Sequence, residues 1–168
     1  MKQTRHLLIA LALGTMLTSC GASVSTATVT GPAAYVDPYI GSGGHGHVFV
    51  GASVPFGAIQ AGPQNIHKGW DWCSGYHHSD SIVIGFAHTH LSGTGCTDMG
   101  DVQIMPYTGE LRSKRGRQED IGGSCSSYYS HDNESVSPGY YSLKMDNGVR
   151  IEICLLYTSP SPRDPKTS

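Results

Sequence analysis

The sequence predicts a mainly β protein built as an antiparallel β-sandwich, and three observations carry that reading. Glycine is abundant, with 22 in 168 residues, and it is among the poorest helix formers. The apolar run Ile82-Val83-Ile84-Gly85-Phe86 has the length and β-branched content of a buried strand. Asp146-Asn147-Gly148 lies between two alternating segments, and Asn-Gly in that setting is the strongest short-range hairpin signal. Short strands divided by Gly/Pro-rich turns belong to sandwiches or barrels.

The chain opens with a targeting segment. Met1-Lys2-Gln3-Thr4-Arg5-His6 is a short basic start, followed by the apolar run 7–13 and then Leu17-Thr18-Ser19-Cys20. That run is far short of the roughly 20 residues that span a bilayer, so residues 1–19 read as a signal peptide. Cys20 stands where the lipobox of bacterial lipoproteins places its acylated cysteine. The resemblance implies export and lipid anchoring in the bacterial cell envelope, facing the periplasm or the cell surface. Residues 20–34, small, uncharged and aperiodic, read as a flexible linker.

The folded body is expected over residues 35–153. Residues 35–40 (YVDPYI) read as a first strand, and Gly41-Ser42-Gly43-Gly44-His45-Gly46-His47 as a loop with unusual backbone angles. This loop lacks the Gly-Lys-Ser/Thr ending of a nucleotide-binding loop. Residues 48–52 and 54–57 give strand and turn signals, and residues 101–106 alternate like another strand. Residues 109–125 are polar, with Arg112, Lys114, Arg115 and Arg117 close together, and read as a solvated loop. Residues 140–145 are expected to pair with 149–153 across the Asn-Gly turn. Beyond Ile153 the alternation stops. Residues 154–168 resemble a transposon-derived sequencing adapter read in frame, so a non-native tail is expected there.

Composition narrows the function. Charged residues make up 14%, against about a quarter in an average soluble chain. A net charge of −2 leaves no basic footprint for nucleic acid. Export permits disulfides. A Cys73–Cys96 bridge is possible, although the odd count of body cysteines favours free buried thiols.

The chemistry concentrates in residues 69–95, which hold both tryptophans and four of the nine histidines. Loops carried by a rigid strand are where binding groups usually sit. Trp70-Asp71 combines an aromatic face for sugar C–H surfaces with a carboxylate for hydroxyls. Trp70 is expected to be the more accessible tryptophan and Trp72 the more buried. Three histidine pairs, His45/His47, His77/His78 and His88/His90, suggest a transition-metal site instead, since residues i and i+2 of a strand share a face. No third ligand with diagnostic spacing accompanies them. Asp98 and Asp101 read as turn-capping residues.

Several of these segments together resemble the opening of family 92 glycoside hydrolases, exo-acting calcium-dependent α-mannosidases. They are residues 35–47 (YVDPYIGSGGHGH), Val54-Pro55-Phe56-Gly57, Gly69-Trp70-Asp71, Cys73-Ser74-Gly75-Tyr76-His77, residues 85–95 (GFAHTHLSGTG) and Ser137-Pro138-Gly139-Tyr140-Tyr141. The resemblance implies an N-terminal sandwich followed by a much larger (α/α)6-barrel domain, with the active site between them. It also implies inverting hydrolysis of terminal α-linked mannose by two carboxylates. Those carboxylates, and most of the Ca2+ ligands, come from the helical domain. A fragment ending near residue 153 should therefore be inactive, with no catalytic or metal-ligating residues of its own. By carry-over, Trp70 and Asp71 are the foremost substrate-contact residues, with Gly43, Gly44, His45, His88 and His90 behind them. Two alternatives stand beside this one: a non-catalytic carbohydrate-binding sandwich, and a hydrolase using histidine-bound metal.

Overall fold

A computed structural model describes residues 29–54, 59–93, 100–121 and 123–155. The leader, Cys20, Pro55-Phe56-Gly57, Cys96, Asp98 and the tail after Leu155 lie outside the described residues. Five strands form one antiparallel meander: β1 (Gly62–Asn65), β2 (Ile82–Ala87), β3 (Ser127–Ser137), β4 (Tyr140–Met145) and β5 (Arg150–Cys154). Helix is confined to two 3-10 turns, Gly31–Tyr35 and Trp70–Trp72. The expected antiparallel β architecture is what forms. Among the described residues no helix is long and apolar enough to cross a membrane.

β2 is the apolar run read from the sequence, and all six of its residues are buried. Burial of both faces requires cover on both sides. Phe86 faces the core, 6.2 Å from the Tyr141 ring. On the other face Gly116 lies so close that a Cβ there would come within 2.4 Å of Ile84 Cγ2. Residues 109–125 are therefore more than a solvated loop. Their Arg115–Cys125 bridge closes the segment on itself.

β3 joins two arms. Its first two residues pair with β2, through Ile82–Tyr128 and Val83–Ser127. It pairs with β4 at Tyr129–Met145 and again, beyond a register shift, from Glu134–Leu143 to Ser137–Tyr140. One core lies between the arms, built from Val50, Ala52, Tyr76, Val83, Phe86, Tyr129, Tyr141, Leu143 and Met145. The β4–β5 hairpin forms as expected. Its turn is closed by Gly148 N–H donating to Met145 O at 3.0 Å and Val149 N–H donating to Asn147 Oδ1 at 3.0 Å. The ladder continues past Ile153, where Cys154 pairs with Tyr140.

Three expected strands do not form. Residues 35–40 make turns instead, with Tyr35 and Ile40 92% and 73% exposed. Pro38 has no N–H to give a ladder, and Tyr39 N–H turns back onto Asp37 Oδ1. Residues 48–52 and 101–106 reach the sheet only as isolated bridges, Ala52–Ala61 and Phe86–Ile104.

Candidate functional site

The site is assembled from two short turns that the glycines make possible. In the first, Val48 N–H donates to Gly41 O at 3.1 Å and Gly46 N–H to Gly43 O at 3.2 Å. Gly46 is obligatory in this curl, because a Cβ there would lie 2.1 Å from Gly41 O. The loop is tied to the neighbouring segment by His78 N–H donating to Ser42 O at 2.8 Å. The second turn is the 3-10 segment Trp70–Trp72, entered through Gly69 at φ 139°. A side chain at Gly69 would be strained by that angle even though the space around it is open.

The two turns meet at Asp71. One of its oxygens accepts from His45 Nδ1 at 2.7 Å and from His47 Nε2 at 3.2 Å. The His45 hydrogen bond holds the Asp71 carboxyl below the usual carboxylate range; desolvation opposes it, and the His47 hydrogen bond adds a smaller lowering. Beside this carboxylate Trp70 is 59% exposed, and its ring packs on the His47 ring with centroids 4.5 Å apart.

Behind the turn the second tryptophan is built in. Trp72 stacks on His77 at 4.2 Å and donates its indole N–H to Asp80 Oδ2 at 3.0 Å. Lys68 reaches the same oxygen at 3.0 Å, while Asp80 Oδ1 accepts from the backbone of Ser81 and Ile82 at the start of β2. The expected division of labour between an exposed Trp70 and a more enclosed Trp72 is present.

The predicted residues divide into two groups. Gly43, Gly44, His45, Trp70 and Asp71 come together, with Gly44 O near His77 Nε2 at 3.2 Å. His88 and His90 do not join them. β2 ends at Ala87, so the two histidines do not share a strand face aimed at one ion. His88 is exposed on the rim of an apolar groove. His90 is buried, stacked on Phe49 with Nδ1 2.8 Å from Gln60 O, and burial lowers its pKa. Their segment still reaches the loop further on, where Gly93 N–H donates to His47 O at 2.7 Å. Cys73 is a free, buried thiol near Gly93 O at 3.6 Å.

A second cluster had no sequence signal. The fully enclosed Glu134 carboxylate accepts from Tyr141 OH at 2.7 Å on one oxygen. Its other oxygen takes Tyr76 OH at 3.0 Å and His131 Nδ1 at 2.7 Å. His131 stacks on His78 at 4.2 Å. Only the register shift in β3 brings His131 over Glu134, and no spacing rule anticipates that.

Neither carboxylate makes a calcium site. Calcium takes six to eight oxygen ligands, whereas Asp71 and Glu134 are engaged by ring N–H and phenol O–H donors. Among the described residues no group of three or more His, Cys, Asp or Glu side chains is placed to hold a metal.

The sequence profile of the glycosyl hydrolase family 92 N-terminal domain matches residues 35–155. A family 92 α-mannosidase from Bacteroides thetaiotaomicron, solved with mannoimidazole, superposes with a TM-score of 0.69 at 42% identity, covering 73% of this chain and 16% of that one. An inverting family 92 mannosidase from the same organism superposes at 0.52 with 24% identity, covering 74% of this chain and 17% of its own length, a likeness of fold alone. An uncharacterized secreted glycosidase of Arthroderma benhamiae is 31% identical over 128 residues, which are 71% of this chain and 15% of that protein. The chain thus spans about a sixth of the length of these relatives. It belongs to glycosyl hydrolase family 92, and residues 35–155 match the N-terminal domain of that family.

Proposed function

We propose that the chain is the sugar-facing N-terminal part of an exported glycosidase that removes terminal α-linked mannose from glycans. The observation that carries this reading is the Trp70–Asp71 pair. An exposed indole face stands beside a carboxylate kept ionised and ready to accept sugar hydroxyl hydrogens. Its likeness to a mannosidase solved with a mannose-like ligand supports mannose as the sugar. In this reading Trp70 stacks on the pyranose, Asp71 takes a hydroxyl pair, and the backbone of Gly43 and Gly44 lets the ligand approach closely.

Hydrolysis with inversion needs an acid and a base on opposite faces of the sugar ring. Asp71 is one carboxylate, already bonded to two histidines, and Glu134 is sealed from solvent. In this reading the chain binds without cutting. The reacting carboxylates and the calcium ligands belong to the remainder of the parent enzyme. Export and attachment through acylated Cys20 complete the proposal.

Titration of the 168-residue chain with methyl α-D-mannoside tests this. Binding that disappears in Trp70→Ala and is indifferent to chelator is expected, together with no release of mannose from a mannobiose. Turnover by the chain alone, or stoichiometric zinc retained by it, would sink the reading.

A further inference from the structure

The Asp71 carboxylate has two histidine partners, and their surroundings differ sharply. His45 makes the shorter contact, but its side chain is 83% exposed. Water competes for that bond and leaves the imidazole free to swing, as at other exposed ionic contacts. The His47 side chain is 1% exposed and cannot move without opening the core of the loop.

Its backbone is fixed from three directions. Gly46 before it is pressed against Gly41 O, Val48 after it bonds Gly41 O, and His47 O itself accepts from Gly93 N–H. His47 adopts φ 55°, the left-handed region that a non-glycine residue enters only when its surroundings hold it there. Such strain at a site is a reason to ask what the side chain is being aimed at. Its Nε2 points at Asp71, its ring face backs Trp70, and Nδ1 is buried with no partner. An unpartnered Nδ1 is tolerable as a bare lone pair but not as an N–H, so the proton sits on Nε2 and is donated to Asp71.

We propose that His47 is the positioning residue of the sugar-facing pair: its buried ring sets the angle of the Trp70 indole, while its Nε2–H fixes which way the Asp71 carboxylate faces. This rests on the mannose-binding reading above and deepens it. His45 has the separate role of an electrostatic partner, supplying most of the depression of the Asp71 pKa and little of the geometry.

Three variants of the 168-residue chain separate these roles. His47→Gln keeps an N–H donor and removes the ring. His47→Phe keeps a ring and removes the donor. His45→Gln removes only the exposed imidazole. Each is read by affinity for methyl α-D-mannoside, by the NMR order parameter of the Trp70 indole N–H, and by the titration of the Asp71 carboxyl. Both His47 variants are expected to weaken mannoside binding about tenfold, the loss of one charge-assisted hydrogen bond or its equivalent. Only His47→Gln should drop the Trp70 order parameter, from roughly 0.85 towards 0.6. His45→Gln should raise the Asp71 titration towards the usual range and leave the Trp70 order parameter unchanged.

The proposal is overturned if Trp70 stays equally ordered in His47→Gln, or if His45→Gln lowers the Trp70 order parameter as much as His47→Gln does. Should His47→Phe fail to fold, His47→Gln alone decides through the Trp70 order parameter. Should the unmodified chain bind no mannoside, the sugar reading fails, while the order parameter still decides whether His47 positions Trp70.

Discussion

Trp70 and Trp72 are two positions apart and do different work, because a 3-10 turn points them in different directions. Trp70 leaves its ring in solvent, whereas Trp72 is stacked and hydrogen-bonded. Trp70→Ala should therefore leave the melting temperature within a few degrees, since exposed substitutions usually cost less than about 0.5 kcal/mol, while removing mannoside binding. Trp72→Ala should instead cost about 3 kcal/mol in denaturant titration, because it also strips a donor from the buried Asp80. His90 gives the pH response at this scale. Its folded-state pKa lies below the ordinary 6.5, so the unfolded chain takes up the proton first as pH falls. Stability should be full above that value and decline below it. His90→Gln should flatten the slope between neutrality and pH about 5 in urea titrations. The sequence showed the Trp-Asp pair plainly, since residue type and adjacency are enough to suggest a sugar subsite. It singled out His45 and passed over His47, whose burial and left-handed backbone only the fold reveals.

At the scale of elements, legibility followed periodicity. β2, β4 and β5 were visible because a continuous apolar run and an Asn-Gly turn are local signals. β1 was missed because Gly62-Pro63-Gln64-Asn65 has turn composition. It is held as a strand by the Asn65 side chain, which bonds Ile82 O and receives His77 N–H. β3 was missed because residues between Tyr129 and Glu134 bulge out of register, which erases the period of two. Residues 35–40 failed in the opposite way, having strand-forming side chains but no partner strand. Two outcomes follow from these contacts. Gly148 stands at φ 85° with open space around it, so Gly148→Ala should cost only the backbone term, about 1–2 kcal/mol in thermal unfolding. Glu134→Gln places an amide donor against phenol donors from Tyr76 and Tyr141 and should cost about 2–3 kcal/mol.

Across the whole molecule, one surface stands apart from the loops that carry Trp70 and Asp71. A groove of about 260 Å³ is lined by Phe86, Ala87, Val102, Ile104, Ile151 and Ile153 among others. Val102 and Ile104 are 71% and 64% exposed. Apolar surface of this kind promotes association. Ile104→Glu should shift sedimentation towards monomer with little change in melting temperature, since a side chain so exposed contributes little to the core.

The sequence alone determined the class of the fold, the β2 strand, the last hairpin and the adjacency of Trp70 and Asp71. Those depend on neighbours in the chain, such as apolar runs, turn residues and adjacent side chains. Tertiary structure decided which histidines join the pair, where Glu134 sits, and that residues 109–125 cover β2. These depend on contacts between residues far apart in the chain, for example Asp71 with His45 or Glu134 with Tyr76. Chain closure sets such contacts, and no local periodicity encodes them.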